Sequence, residues 1–134
     1  MPVELNDEEL RFLLDVVELA REGETAELTR LIDAGVPVNL STADGDTLLI
    51  LAAYHVHLHT VQALLGRGAD TARVNDRGQT AIGAAVFRRA EPVVQALLDA
   101  GADPWLGRQS AYAVAEVFEL EDMRALLERF EPAS

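Results

Sequence analysis

Two stretches decide the fold: "ADGDTLLILAAYHVHLHTVQALLGRGADTA", Ala43 to Ala72, and "NDRGQTAIGAAVFRRAEPVVQALLDAGADPW", Asn75 to Trp105. Laid over one another, they agree at a constant offset of 33 residues. Gly45 falls on Gly78, Thr47 on Thr80, Ala52 on Ala85, Leu64-Leu65 on Leu97-Leu98 and Gly68 on Gly101. The period runs backward: Leu31-Ile32 precedes Leu64-Leu65 by 33, Gly35 precedes Gly68, and Gly23 precedes Val56. Forward it shortens, with Ser110 30 residues after Thr80 and Leu126-Leu127 29 after Leu97-Leu98. A fixed period in this range is the mark of stacked units that bury their faces on one another. End units that depart from the pattern are expected, because each has one face against water.

Each unit reads as helix, short link, helix, glycine-bearing turn. Thr47 and Thr80 stand where a hydroxyl can accept from the orphan N–H groups of a first helical turn. The first helices, "LLILAAYH" and "AIGAAVF", are short and alanine-rich, so neighbours can approach closely. The second helices carry Leu58, Val61, Leu64 and Leu65, then Val94, Leu97 and Leu98, at helical spacing. Gly68 and Gly101 suit a left-handed helix cap, and Gly45 and Gly78 a turn. Asn6 and Glu9 form a capping-box pair that opens a longer helix through about Arg21. The last pair is expected over Ser110 to Phe118 and Glu121 to Phe130.

The strings "DGDTLLILAA", "VQALLGRGAD", "DRGQTAIGAA" and "VQALLDAGAD" resemble the ankyrin repeat, and with their flanks they carry the likeness over about residues 13 to 130. The resemblance implies an all-α solenoid of about four helix-turn-helix units with atypical capping repeats, of a small bacterial type. As one domain over 1–134 it divides into an N-terminal capping unit at about 6–39, repeats at about 42–74 and 75–106, and a C-terminal capping unit at about 107–130. Two features depart from the family. The T-P-L-H motif becomes Thr47-Leu48-Leu49-Ile50 and Thr80-Ala81-Ile82-Gly83, without its His. The glycine between paired helices survives as Gly23 but is replaced by Val56 and Arg89. A β-branched residue at positive φ is strained, so that link is expected to take another conformation.

Composition removes several functions. The chain has 134 residues, no cysteine and a net charge of -12, and all eleven of its basic residues are arginines. Thiolate chemistry and disulfides are excluded, as are lysine Schiff bases. The negative field disfavours nucleic acid and anionic membrane surfaces. The start "MPVELNDEEL" lacks a basic region followed by an apolar one, and no apolar run approaches a membrane span. A cytoplasmic, soluble monomer is the expectation. No Walker A, H-E-x-x-H or G-x-S-x-G string occurs. Ser41, Ser110 and Ser134 have no histidine placed to activate them. No enzyme and no cofactor is expected.

The three histidines, His55, His57 and His59, alternate. On a strand they would share a face and could converge on Zn²⁺. In the repeat frame they straddle a helix–link–helix corner and point apart. His57 is expected to bridge to a neighbouring link, His59 to be solvated and His55 to face the groove. A metal-responsive protein using this cluster is the alternative.

What the resemblance implies for use is protein binding, through the turn tips and the exposed face of the first helices. Carried over position by position, the helix residues are Arg21 and Glu22, Tyr54 and His55, Phe87 and Arg88, and Val117 and Phe118. The turn residues are Ala43, Asp44 and Asp46, then Asp76, Arg77 and Gln79. Tyr54 and Phe87 lie 33 apart, so they are expected to meet on adjacent units. Aromatic and arginine side chains dominate interface hot spots. Arg77 and Arg88 would orient an acidic or mixed partner protein. Trp105 is expected to close the end of the stack, with an exposed anchor as the alternative.

Overall fold

The computed structural model describes residues 5–130. Eight helices form there: α1 (Asp7–Glu22), α2 (Thr25–Asp33), α3 (Leu48–Tyr54), α4 (Leu58–Leu65), α5 (Ala81–Phe87), α6 (Glu91–Asp99), α7 (Ala111–Val117) and α8 (Glu121–Arg129). They pair as antiparallel hairpins, α1 with α2 through α7 with α8. The first helices of successive pairs pack side by side, α1 on α3 on α5 on α7. The second helices form an outer layer, α2 on α4 on α6 on α8. This is the four-unit all-α solenoid that the period implied.

Each helix starts where its cap residue dictates. Asn6 accepts from Glu9 N–H, Thr47 from Ile50, Thr80 from Gly83 and Ser110 from Ala113. The outer helices begin without a side-chain cap, because each follows a tight corner. Alanine gives the inner layer its close contact: Ala20, Ala52, Ala53, Ala84, Ala85 and Ala111 have no exposed surface. Leu28, Leu64, Leu97 and Leu127 from the outer helices fill the space between layers, also without exposure. Each fully buried leucine contributes roughly 1.5–3 kcal/mol, so the layers hold together by many moderate increments.

The corners correct one expectation. Val56 and Arg89 do not adopt a different conformation. They keep the left-handed one of Gly23, with φ of 62° and 54° beside 75°, and Glu119 follows at 54°. At all four corners the N–H of this residue and the next tie back to the ending helix: Gly23 and Glu24 to Ala20 and Leu19, Val56 and His57 to Ala53 and Ala52, Arg89 and Ala90 to Val86 and Ala85, Glu119 and Leu120 to Glu116 and Ala115. This paired closure satisfies carbonyls that the helix end would leave orphaned. It offsets the roughly 1–2 kcal/mol that a left-handed side-chain-bearing residue costs.

Between units the chain makes short turns that project as fingers beside the inner helices. Thr42 N–H donates to Asp46, and Asn75 N–H to Gln79, closing each turn around Gly45 or Gly78. The fingers are laced together by Asp76 N–H to the Asp44 carbonyl and Gln109 N–H to the Gly78 carbonyl. Fingers and inner helices meet at an angle, and the groove between them is the concave face.

Candidate partner-binding groove

The inner helices end in a ladder of rings. Tyr54 and Phe87 stack nearly parallel, centroids 6.2 Å apart at 10°, and Phe87 meets Phe118 edge-on at 5.3 Å. One ring comes from each of three successive units because the repeat places all three at the end of an inner helix. Tyr54 is half-buried, while Phe87 and Phe118 remain 41% and 56% exposed. Beside them Val117 is 73% exposed. The ladder runs through neighbouring concavities of about 250–290 Å³, the first lined by Tyr54, His55, Asp46 and Arg77, the second by Tyr54, Phe87, Phe118 and Gln109. A third, of about 260 Å³, continues over Val114, Val117, Phe118 and Arg108.

The polar residues nominated from sequence divide by what already holds them. Asp46 turns inward: its side chain is 13% exposed and accepts from Asn75 Nδ2 at 2.7 Å and Arg77 at 3.2 Å. It braces one finger against the next. Asn75, which the sequence reading passed over, is the hub of that brace. It is 5% exposed, and its Oδ1 accepts from the N–H of both Arg77 and Gln79. Asp44, Asp76 and Arg77 are exposed at the finger tips, and Gln79 is half-buried beside them. Arg88 donates to the Tyr54 carbonyl at 2.7 Å and lies 5.3 Å from the centre of that ring. Arg21 closes α1 on Glu18. Arg108, Gln109 and Val114 also line the groove and were missed. The signal was present, since Gln109 follows Gln79 by the same 30 residues that separate Ser110 from Thr80.

The histidines occupy three settings. His57 donates from Nε2 to the Arg21 carbonyl at 2.9 Å, bridging two adjacent corners. Its ring lies over Gly23, where an added Cβ would stand 2.5 Å from Nδ1. His55 lies edge-on to Tyr54 at 5.1 Å and borders the first concavity. Burial holds its pKa below the ordinary 6.5, assisted by the charges of Arg21, His57 and Arg88 and opposed by Glu18. His59 is exposed on α4. Among the described residues no three His, Asp or Glu side chains converge as a metal site. Trp105 stacks on the buried Tyr112, centroids 4.0 Å apart, while staying 63% exposed. It covers one ring rather than the end of the stack.

Comparison with known proteins agrees with this geometry. The family model for ankyrin repeats, in three copies, matches residues 16–107. A Pseudomonas aeruginosa protein named for its ankyrin repeats is 42% identical over 59 residues, 44% of this chain and 34% of the relative. A Treponema pallidum protein named as ankyrin repeat-containing is 34% identical over 108 residues, 77% of this chain and 36% of the relative. The human NAD-capped RNA hydrolase is 34% identical over 115 residues, 82% of this chain but 24% of the enzyme. The chain thus spans about a third or less of the length of these relatives. No helix among the described residues is long and apolar enough to cross a membrane.

Proposed function

Because the chain belongs to the ankyrin repeat family, whose repeats serve generally as protein–protein interaction modules, we propose that it is a non-catalytic module that grips a partner protein in its concave groove. The observation that carries this reading is the ring ladder of Tyr54, Phe87 and Phe118. Three aromatic side chains in a row, two of them largely exposed, form an apolar strip on an otherwise acidic molecule. Such strips supply contact area at small entropic cost and concentrate binding energy. Polar finger tips on one side of the strip give it a rim. The groove residues of the proposal are Tyr54, His55, Phe87, Arg88 and Phe118, with Arg77 and Gln79 at the fingers.

Affinity capture from source-cell lysate tests this reading, with wild type beside the Tyr54→Glu/Phe87→Glu double variant and circular dichroism to show that both fold. A protein retained by wild type and lost by the double variant is the expected result. Equal capture by both would move the contact away from the ladder.

A further inference from the structure

The arginines of the groove are placed unlike the rest. The chain has eleven, against 23 acidic residues. Eight of them have a carboxylate within 4.0 Å. Among the described residues Arg11, Arg88 and Arg108 have none, and the last two bracket the ring ladder. Arg88 is held by the Tyr54 carbonyl and the face of the Tyr54 ring. Arg108 reaches the Asp76 carbonyl at 3.3 Å. A guanidinium carries five donors, so each fork is positioned by one backbone contact and keeps most of its donors. In a chain where acids outnumber arginines two to one, leaving these two without a carboxylate is a property of the groove.

The surroundings of Arg88 point the same way. Its neighbours toward α1 are His55 and Arg21, and the one carboxylate felt there, Glu18, is already bound to Arg21. The exposed carboxylates of Asp44 and Asp76 stand at the finger tips. Arg88 caps the opposite end of α5, a seven-residue helix about 10 Å long.

We infer that the groove's occupant is a partner segment presenting a carboxylate side chain beside an apolar one, the carboxylate on the Arg88 fork and the apolar group on Phe87 and Phe118. This rests on the groove reading above and adds the chemistry of what fills it. The planar fork matches a carboxylate bidentately. The neighbouring rings exclude water, which strengthens that contact. A basic segment would meet Arg88 and Arg108 with like charge. A bound carboxylate also faces His55, so it raises the pKa of that imidazole from its depressed position.

The test uses the full chain and three sets of short synthetic peptides, each with a central Phe or Leu flanked by Asp and Glu, by Lys and Arg, or by Ser. Binding is read by fluorescence anisotropy, and the His55 titration by NMR. The acid-flanked set should bind roughly tenfold tighter than the basic set, weaken in high salt, and lose about tenfold on Arg88→Gln while Arg88→Lys retains most of the affinity. The His55 pKa should rise on binding in wild type. Tighter or equal binding of the basic set, indifference to Arg88→Gln, or binding by no set overturns the inference. Phe87→Glu separates the two claims. If basic or neutral peptides bind and Phe87→Glu abolishes that binding, the groove stands and the carboxylate preference falls.

Discussion

Val56 and Gly23 occupy the same corner with the same hydrogen-bond closure, yet only one of them is free of a Cβ penalty. Val56 is 40% exposed, so its side chain contributes little packing. Val56→Gly should therefore stabilise the protein. Relief of left-handed strain, about 1–2 kcal/mol, exceeds the roughly 0.5–1 kcal/mol of added freedom in the unfolded chain. Urea denaturation should show a midpoint raised by an increment of about 0.5–1 kcal/mol; a lowered midpoint would show that the valine packs more than its exposure indicates. The same corner shows what sequence could not convey. Residue identity at Val56 and Arg89 argued for a changed backbone, because strain is a local property. The two tying hydrogen bonds that override it belong to the helix end, and the chain reads them only once the hairpin has formed. His57 was legible for the opposite reason. Its bridge to the Arg21 carbonyl follows from its place in the repeat, and Gly23 leaves room for its ring.

At the scale of elements, helix α5 places a glycine in its interior where propensity alone would choose alanine. Gly83 sits there because α7's unit comes too close: an added Cβ would stand 2.5 Å from the Gln109 carbonyl and 3.2 Å from Thr80 Oγ1. It also occupies the motif position where the family carries His, and the same approach explains why no side chain fits. Gly83→Ala gains up to about 1 kcal/mol of helix propensity but forces a backbone shift that costs roughly 1–3 kcal/mol. The net should be a loss on the order of 1 kcal/mol. Gly66→Ala is the control. Gly66 caps α4 at a φ of -63°, and its nearest contacts lie at 3.4 and 3.6 Å. That substitution should be neutral or stabilising by a few tenths of a kcal/mol. If both variants lose stability equally, the close approach at Gln109 is not what excludes a side chain. Helix starts were readable because Thr47, Thr80 and Ser110 each cap in the way their hydroxyls permit. The finger brace was not. Asp46 looked like a surface carboxylate, and its occupation by Asn75 and Arg77 depends on two turns lying side by side.

The whole molecule is a two-layer stack whose faces differ in kind. The outer helices present salt-bridged polar surface, such as Arg67 on Asp33 and Arg89 on Asp122. The concave face presents rings, and two of its arginines lack a carboxylate. The period of 33 made the stacking of Tyr54 on Phe87 legible before any coordinates, because equal spacing in the repeat becomes adjacency in space. The shortened last unit hid the extension of the ladder to Arg108 and Gln109, since an irregular offset breaks the same inference. Whether the concave face is where a partner sits can be read by placing a photo-crosslinking phenylalanine analogue at Phe87 or Phe118 in the source cells, with Gln62 on outer helix α4 as the reference. The account predicts a discrete covalent adduct with another protein from the Phe87 and Phe118 positions and none from Gln62. An adduct from Gln62 with none from either groove position would place the interface on the convex side and contradict it.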